Sequence, residues 1–296
     1  MAPLDGQGSG EQAQKTAASR EGRGAVGRLI AVVNQKGGVA KTTSIYHLGV
    51  GLARLGRRVL WVDLDPQAAL SAWCGVSTGD DGQPGTYHGL LSRLPIERLL
   101  VEDRHGPHLV PAGLELSLAE LELVGQIAPE RRLARLLSPV RDRYDYILVD
   151  TQPSLGLLTQ NALVAADEVL IPVACEYLAV RVLSVVMRAL ARVRVQANSQ
   201  LRVAGILPTL YDGRTRHARE ALEQIRDRFG QRLTVFEWPV VRSVRFAEAA
   251  ARGLSIWEIA PDHPGGRAYE AVAMALDGQQ VGAVDIPSWE EDEPPQ

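Results

Sequence analysis

Cysteine is nearly absent: Cys74 and Cys175 are the only two in 296 residues, and they lie far apart with no CxxC. That excludes a disulfide framework and fits a reducing cytosol. Long apolar runs are also missing. None reaches the roughly 18 residues that span a bilayer, so no transmembrane helix is expected. The opening stretch, "MAPLDGQGSGEQAQKTAASREGRGAVGR", lacks the apolar core of a secretory signal. Zinc-finger spacing, RNP motifs and recognition-helix signatures are absent too, which argues against sequence-specific nucleic-acid readout. No internal repeat is apparent.

What is present is ordinary globular composition, 46% hydrophobic and 23% charged, in a chain long enough for an ample core. The net charge of −3 is unevenly placed. From Val281 onward there are five carboxylates (Asp285, Glu290, Glu291, Asp292, Glu293) and no base. Residues 1–27 are rich in Gly, Ala, Gln and Ser, and cannot bury enough surface to offset ordering entropy. They are expected to be a disordered tail, as is the acidic segment 279–296, flanking one domain over 28–278.

Within that domain, apolar strand candidates at 29–34, 59–65, 146–150, 168–174 and 201–209 alternate with helical patterns. The first helix is expected over 42–55, with Ile45, Leu48, Leu52 and Leu55 on one face and Gly56 as its stop. Others are expected around 130–143, 157–166, 179–196 and 215–229. The alternation predicts an α/β fold, a mostly parallel twisted sheet with helices on both faces. Ligands in such folds sit beyond the carboxyl ends of the strands. Asn34, Asp65, Asp150 and Thr209 fall at those ends.

The segment "NQKGGVAKTT" (34–43) joins the first strand to the first helix and resembles a phosphate loop with two irregularities. The usual G-x-x-x-x-G-K-[ST], anchored on Lys41, needs Gly at 35 and 40, where this chain has Gln35 and Ala40. It also has an extra lysine, Lys36. A strand–turn–helix of this kind presents free N–H groups to an anion. Lys41 would reach the β- and γ-phosphates, and Thr42 would offer its hydroxyl to Mg²⁺. "VDLDPQ" (62–67) and "YILVDTQPSLG" (146–156) each end an apolar strand in Asp, suited to a Mg²⁺ water shell.

"KGGVAKTT" is similar to the deviant phosphate loop, K-G-G-x-x-K-[ST], of the ParA/MinD superfamily of P-loop NTPases (the deviant Walker A type). "DLDPQ" and "VDTQPSLG" match that superfamily's next motifs in order. "GILPTLYDGRTRHARE" (205–220) and "VRSVRFAEAAARGLSIWE" (241–258) narrow the resemblance to chromosome and plasmid partition ATPases of the ParA/Soj type, over about 28–278.

The resemblance implies ATP and Mg²⁺ as cofactors, bound by Lys36, Gly37, Gly38, Val39, Ala40, Lys41, Thr42 and Thr43. It implies that Lys36 reaches across an ATP-bound homodimer to the partner's nucleotide, as an arginine finger does. Asp65 would orient the attacking water. Thr42, Asp65 and Asp150 would serve the metal, and Thr209, Leu210 and Pro239 the adenine. Arg214, Arg242, Arg245 and Arg267, extended by Arg216, would contact nonspecific double-stranded DNA. A ParB-like centromere-binding protein would stimulate hydrolysis, with Lys15, Arg20 and Arg23 of the N-terminal tail as candidates for docking it. The protein would be cytoplasmic and nucleoid-associated.

Two positions depart from the family pattern. Gln152 stands where relatives carry Pro, and Pro239 sits earlier than their proline. A MinD-like membrane ATPase would end in a basic amphipathic helix, whereas this chain ends in acid and proline. A nitrogenase-type iron protein would place its cysteines differently. A weakly hydrolysing, ATP-switched DNA-coating scaffold is the remaining alternative.

Overall fold

The computed structural model describes residues 26–78 and 82–281. Seven strands form one sheet: β1 (Arg28–Val32), β2 (Val59–Leu64), β3 (Val101–Glu102), β4 (His108–Val110), β5 (Tyr146–Thr151), β6 (Glu168–Ala174) and β7 (Arg202–Thr209), in the order β3-β4-β2-β5-β1-β6-β7. Every pairing is parallel except β3 with β4. Ten α-helices accompany the sheet among the described residues: α1 (Lys41–Arg54), α2 (Ala69–Trp73), α3 (Leu116–Leu123), α4 (Arg132–Leu137), α5 (Leu157–Ala165), α6 (Ala179–Gln196), α7 (Arg216–Phe229), α8 (Arg245–Ala251), α9 (Ile256–Ile259) and α10 (Pro264–Leu276).

Side chains alternate across a strand with period two, and this divides the core in two. Leu29, Ala31, Leu60, Val62, Leu64, Ile147 and Val149 pack on one face of the sheet. Ile30, Val32, Val59, Trp61, Tyr146 and Leu148 pack on the other, with Ile45, Tyr46 and Leu48 of α1. By the same alternation, Asp63 and Asp150 project to the α1 face. They are direct cross-strand partners in the β2–β5 register. Gly49 lets α1 lie close on β2: a Cβ there would sit 1.9 Å from Trp61 Nε1. That indole donates to the Ile45 carbonyl at 3.2 Å.

The parallel α/β sheet agrees with the expected fold, and most boundaries fall within two residues. The helix expected over 130–143 is broken. A 3₁₀ turn at Pro129–Arg131 precedes α4, and another at Ser138–Arg143 follows it. Pro139 lacks the N–H that would continue the α ladder. The edge pair β3–β4 and helices α2, α3 and α8–α10 had no counterpart in the sequence reading. Gly27, assigned to the tail, exchanges hydrogen bonds with Arg141 (N–H to carbonyl 2.9 Å, Nε to Gly27 oxygen 3.2 Å). Residues 1–25, including Lys15, Arg20 and Arg23, lie outside the described residues, as does the acidic segment from 282. No helix among the described residues is long and apolar enough to cross a membrane.

Candidate nucleotide site

The loop between β1 and α1 is pinned at both ends. Buried Asn34 donates to the Pro172 carbonyl at 2.6 Å and accepts from the Lys36 amide at 3.0 Å. At the far end, the Thr209 hydroxyl donates to the Val39 carbonyl at 3.1 Å. Gly37 and Gly38 are exposed between these anchors, and Gly38 has φ 70°. Ala40 also adopts the left-handed region, at φ 64° and ψ 35°. The usual pattern has glycine there, so this chain keeps the backbone shape and accepts the Cβ strain.

Lys41 opens α1 and is 7% exposed. Loss of water pulls its pKa down, and the charges of Asp150 and Asp65 pull the other way. Thr42 and Thr43 are half-buried beside it. Asp150 is fully buried, and neither carboxylate oxygen has a hydrogen-bond partner. Its pKa is pushed far up, first by burial and then by the charge of Asp63. The Thr42 hydroxyl lies near enough to favour the charged form but is not placed as a full hydrogen bond.

Asp63 is the residue that sequence reasoning passed over. It is buried and accepts from the Ser71 amide (2.9 Å), the Ser71 hydroxyl (2.7 Å) and the Asp65 amide (3.2 Å). Burial raises its pKa while these donors lower it. The signal was available, because D-x-D at a strand end puts both carboxylates on one face. Asp65 is half-buried just past β2, where it accepts from the Gln67 amide at 2.9 Å. Among the described residues no group of three or more His, Cys, Asp or Glu is arranged to hold a metal directly. Two neighbouring carboxylates and a hydroxyl instead fit Mg²⁺, which keeps most of its waters and takes phosphate oxygens.

Glu120 of α3 is a second unforeseen participant. Its Oε1 accepts from Gln152 Nε2 at 3.0 Å and from the Leu158 amide at 3.1 Å, so it caps α5 and holds the loop after Asp150. Gly156 permits the approach: a Cβ there would lie 2.3 Å from Glu120 Oε1. Gln152, the departure from the family's proline, thus fixes its loop through a side-chain hydrogen bond.

Lys36 pairs with Glu176, whose other oxygen lies 3.6 Å from Arg242. Thr209 is buried and Leu210 sits at φ 51°, while Pro239 is buried. The arginines fall into two groups. Arg214 is forked onto Asp212 at 2.9 Å through both Nε and Nη2, and the charge of Arg242 also reaches that carboxylate. Arg245 pairs with Glu248 at 2.8 Å. Arg245 and Arg267 both bear on His263, whose pKa burial and these two charges push down. Arg216 pairs with Glu220 at 2.6 Å. These are exposed pairs of small individual worth. Burial raises both thiol pKa values, that of Cys175 to about 12, so neither cysteine is primed as a nucleophile.

A family model described as an AAA domain matches residues 27–203. The chromosome-partitioning ATPase Soj of Treponema pallidum is 39% identical over 259 residues, 86% of this chain and all of that protein. Soj of Thermus thermophilus is 44% identical over 247 residues, 83% of this chain and 94% of that one. The chain belongs to the ParA/Soj family of partition ATPases. Among solved structures, cobyrinic acid a,c-diamide synthase from Mycobacterium smegmatis with bound ADP and magnesium superposes with a TM-score of 0.73. It is 37% identical, and the match covers 84% of this chain and 94% of that one. A Borrelia burgdorferi plasmid partition protein bound to AMPPNP, 21% identical with a TM-score of 0.70, shares the fold. For a ParA/Soj chain, the loop at 34–43 and the Asp63–Asp150 pair lie at the carboxyl edge where an α/β sheet takes its ligands.

Proposed function

We propose that this ParA/Soj-family chain binds ATP with Mg²⁺, pairs as a sandwich homodimer, holds DNA without sequence preference, and releases it when a ParB-like partner stimulates hydrolysis. The observation that carries the reading is Asp150, a buried carboxylate with both oxygens unpartnered beside Lys41 and Thr42. Such a group is costly unless a cation completes it. Magnesium, when bound, draws charge from the phosphoryl oxygens. The crystallised M. smegmatis relative with ADP and magnesium supports the same assignment.

In this reading Lys41 and the amides of 37–43 hold the β- and γ-phosphates, and Thr42 with Asp150 holds the metal's water shell. Asp65 orients the attacking water. Lys36 leaves Glu176 and reaches the partner subunit's nucleotide. Thr209, whose hydroxyl donates to the Val39 carbonyl, meets the adenine alongside Leu210 and Pro239. Arg214, Arg242, Arg245 and Arg267 meet DNA phosphates, and dimerisation doubles those contacts on one rigid body. That would place the protein on the nucleoid in the cytoplasm.

Equilibrium ATP binding tests the core of the proposal. Wild type is expected to bind ATP more tightly with Mg²⁺, Asp150→Asn to lose that dependence, and Lys41→Ala to lose binding. Unchanged affinity in Lys41→Ala would refute the loop assignment. For DNA, Arg245→Glu is expected to abolish ATP-dependent anisotropy on random-sequence duplex while dimerisation persists. Equal DNA affinity with ATP and ADP would refute the switch.

A further inference from the structure

A cavity of about 390 Å³ opens between the segment 89–97 and α4, and none of its lining residues belongs to the nucleotide site. One wall is apolar, built from Leu90, Ile96 and Leu136. The rest carries three arginines, Arg93, Arg132 and Arg135. Among the described residues, none of the three has a carboxylate within salt-bridge distance, whereas Arg28, Arg57, Arg58, Arg104 and Arg141 all do. Glu97, the acidic residue at the cavity, lies 3.8 Å from Arg143.

Arg132 is the deepest of the three. Its immediate neighbours cover it to 9% exposure, although the protein shell around it is thin. It donates to Gln126 Oε1, and its Nε has no partner. Its pKa is lowered by loss of water and then by the charges of Arg93 and Arg135, both of which repel it. The backbone at the rim is also unusual. His88–Ser92 forms a π-helical turn, and Arg93 follows it in the left-handed region at φ 53°. Both features cost stability and concentrate at functional sites. A fold gains nothing from gathering three unpaired cations around a cavity unless an anion occupies it.

The anion's chemistry follows from the donors. A carboxylate offers two oxygens and one charge. A phosphomonoester offers three terminal oxygens and nearly two charges, and so matches three forked guanidiniums better. Duplex DNA is a poor fit, because its convex backbone cannot follow a covered arginine inward. The volume lies at the low end of the ~300–1,000 Å³ range of small-ligand sites. We propose that this cavity is a second ligand site, for a phosphorylated small molecule. Its phosphate is gripped by Arg93, Arg132 and Arg135, and its organic body lies on Leu90, Ile96 and Leu136.

The test uses the full chain carrying Lys41→Ala, which disables the nucleotide loop, and titrates phenyl phosphate, benzoate and inorganic phosphate by calorimetry. Phenyl phosphate is expected to bind at one site, more tightly than either control. Arg93→Gln or Arg135→Gln should each weaken it by about tenfold, the loss typical of one charge-assisted contact. Arg132→Met should weaken it further; if that variant does not fold, the two rim variants decide alone. Absence of saturable phenyl phosphate binding in the millimolar range overturns the proposal. So does binding that the rim substitutions leave unchanged. Rim substitutions that weaken duplex DNA binding but not phenyl phosphate binding would also overturn it, assigning the arginines to DNA.

Discussion

Replacing Asp150 with Asn should stabilise the nucleotide-free protein while disabling it. Asp150 is fully buried without a hydrogen-bond partner, and it faces Asp63 across the β2–β5 register. Burial and the Asp63 charge are the two largest influences on its pKa and both raise it; the Thr42 hydroxyl and the Lys41 charge oppose them and rank lower. The folded state therefore holds a proton that the unfolded chain releases near the ordinary carboxylate value of 3.8. This contribution to stability is fully present below that value and is lost as pH rises through the raised folded value. An Asn of the same shape cannot ionise and escapes that loss. The penalty for an unsatisfied buried carboxylate exceeds that for an unsatisfied amide by on the order of 2 kcal/mol. At roughly 2–4 °C per kcal/mol for a domain of this size, the melting temperature should rise by about 4–8 °C at pH 8. The gain should shrink as pH falls and approach zero only near pH 4, close to the ordinary value of 3.8. Thermal unfolding followed by circular dichroism in EDTA measures both points. With Mg²⁺ and ATP the order should reverse, since only the wild type gains binding energy. A lower melting temperature for the variant at pH 8, or an equal increment at both pH values, would refute the reasoning.

Other residues give separable outcomes. Ala40→Gly should relieve the left-handed strain and raise stability by about 1 kcal/mol in urea unfolding; a loss of stability would mean the strain is not where the backbone puts it. Lys36→Ala should weaken ATP-dependent dimerisation but keep single-subunit binding, whereas Asp65→Ala should accumulate an ATP-bound dimer. Sedimentation with ATP distinguishes them, and identical behaviour contradicts the assigned roles. Glu120→Ala should slow turnover several-fold by freeing Gln152 and uncapping α5, and the Leu158 amide should lose protection from hydrogen exchange. Full protection in the variant would show that Glu120 does not hold the loop.

Much of this architecture was legible because it rests on patterns that sequence carries directly. The central strands are continuous apolar runs, and α6, expected over 179–196, spans Ala179–Gln196. Lys41, Thr42 and Asp150 stand out in the sequence because a phosphate loop and a strand-end carboxylate have local signatures. Asp63 was missed although it sits in the quoted motif. Its role depends on facing Asp150 across two strands 87 residues apart in sequence, and pairing of that range leaves no local trace. Glu120 was missed for the same reason: α3 gives no hint that one of its carboxylates caps α5. The short edge strands β3 and β4 have two and three residues, too few for any periodicity to show. Arg93, Arg132 and Arg135 carry no signal in the sequence, because the absence of acidic partners is visible only in three dimensions.

Of the phosphate loop's irregular positions, Ala40 is explained by what surrounds it. Glycine at 40 would serve the left-handed turn into α1, and Ala40 makes that turn anyway. It can do so because its neighbours over-determine it. The Ala40 carbonyl accepts from the Ser44 amide at 2.9 Å and the Ser44 hydroxyl at 2.7 Å. Ser44 in turn meets the Tyr269 hydroxyl at 3.1 Å. The Val39 carbonyl is held by Thr209, and Asn34 ties the loop's start to β6. Farther along α1, His47 is neutral, its pKa pushed down to about 3 by burial. It bonds the Thr43 carbonyl at 2.8 Å through Nδ1 and accepts from the Ile256 amide at 3.0 Å through Nε2, linking α1 to α9. The C-terminal segment is thus part of what keeps the loop in shape. The same rigidity holds Lys41 and two buried carboxylates together before any ligand is present. The two carboxylates cannot move apart, so their mutual repulsion is relieved most by a ligand that brings a cation for Asp150 and anionic oxygens for Lys41.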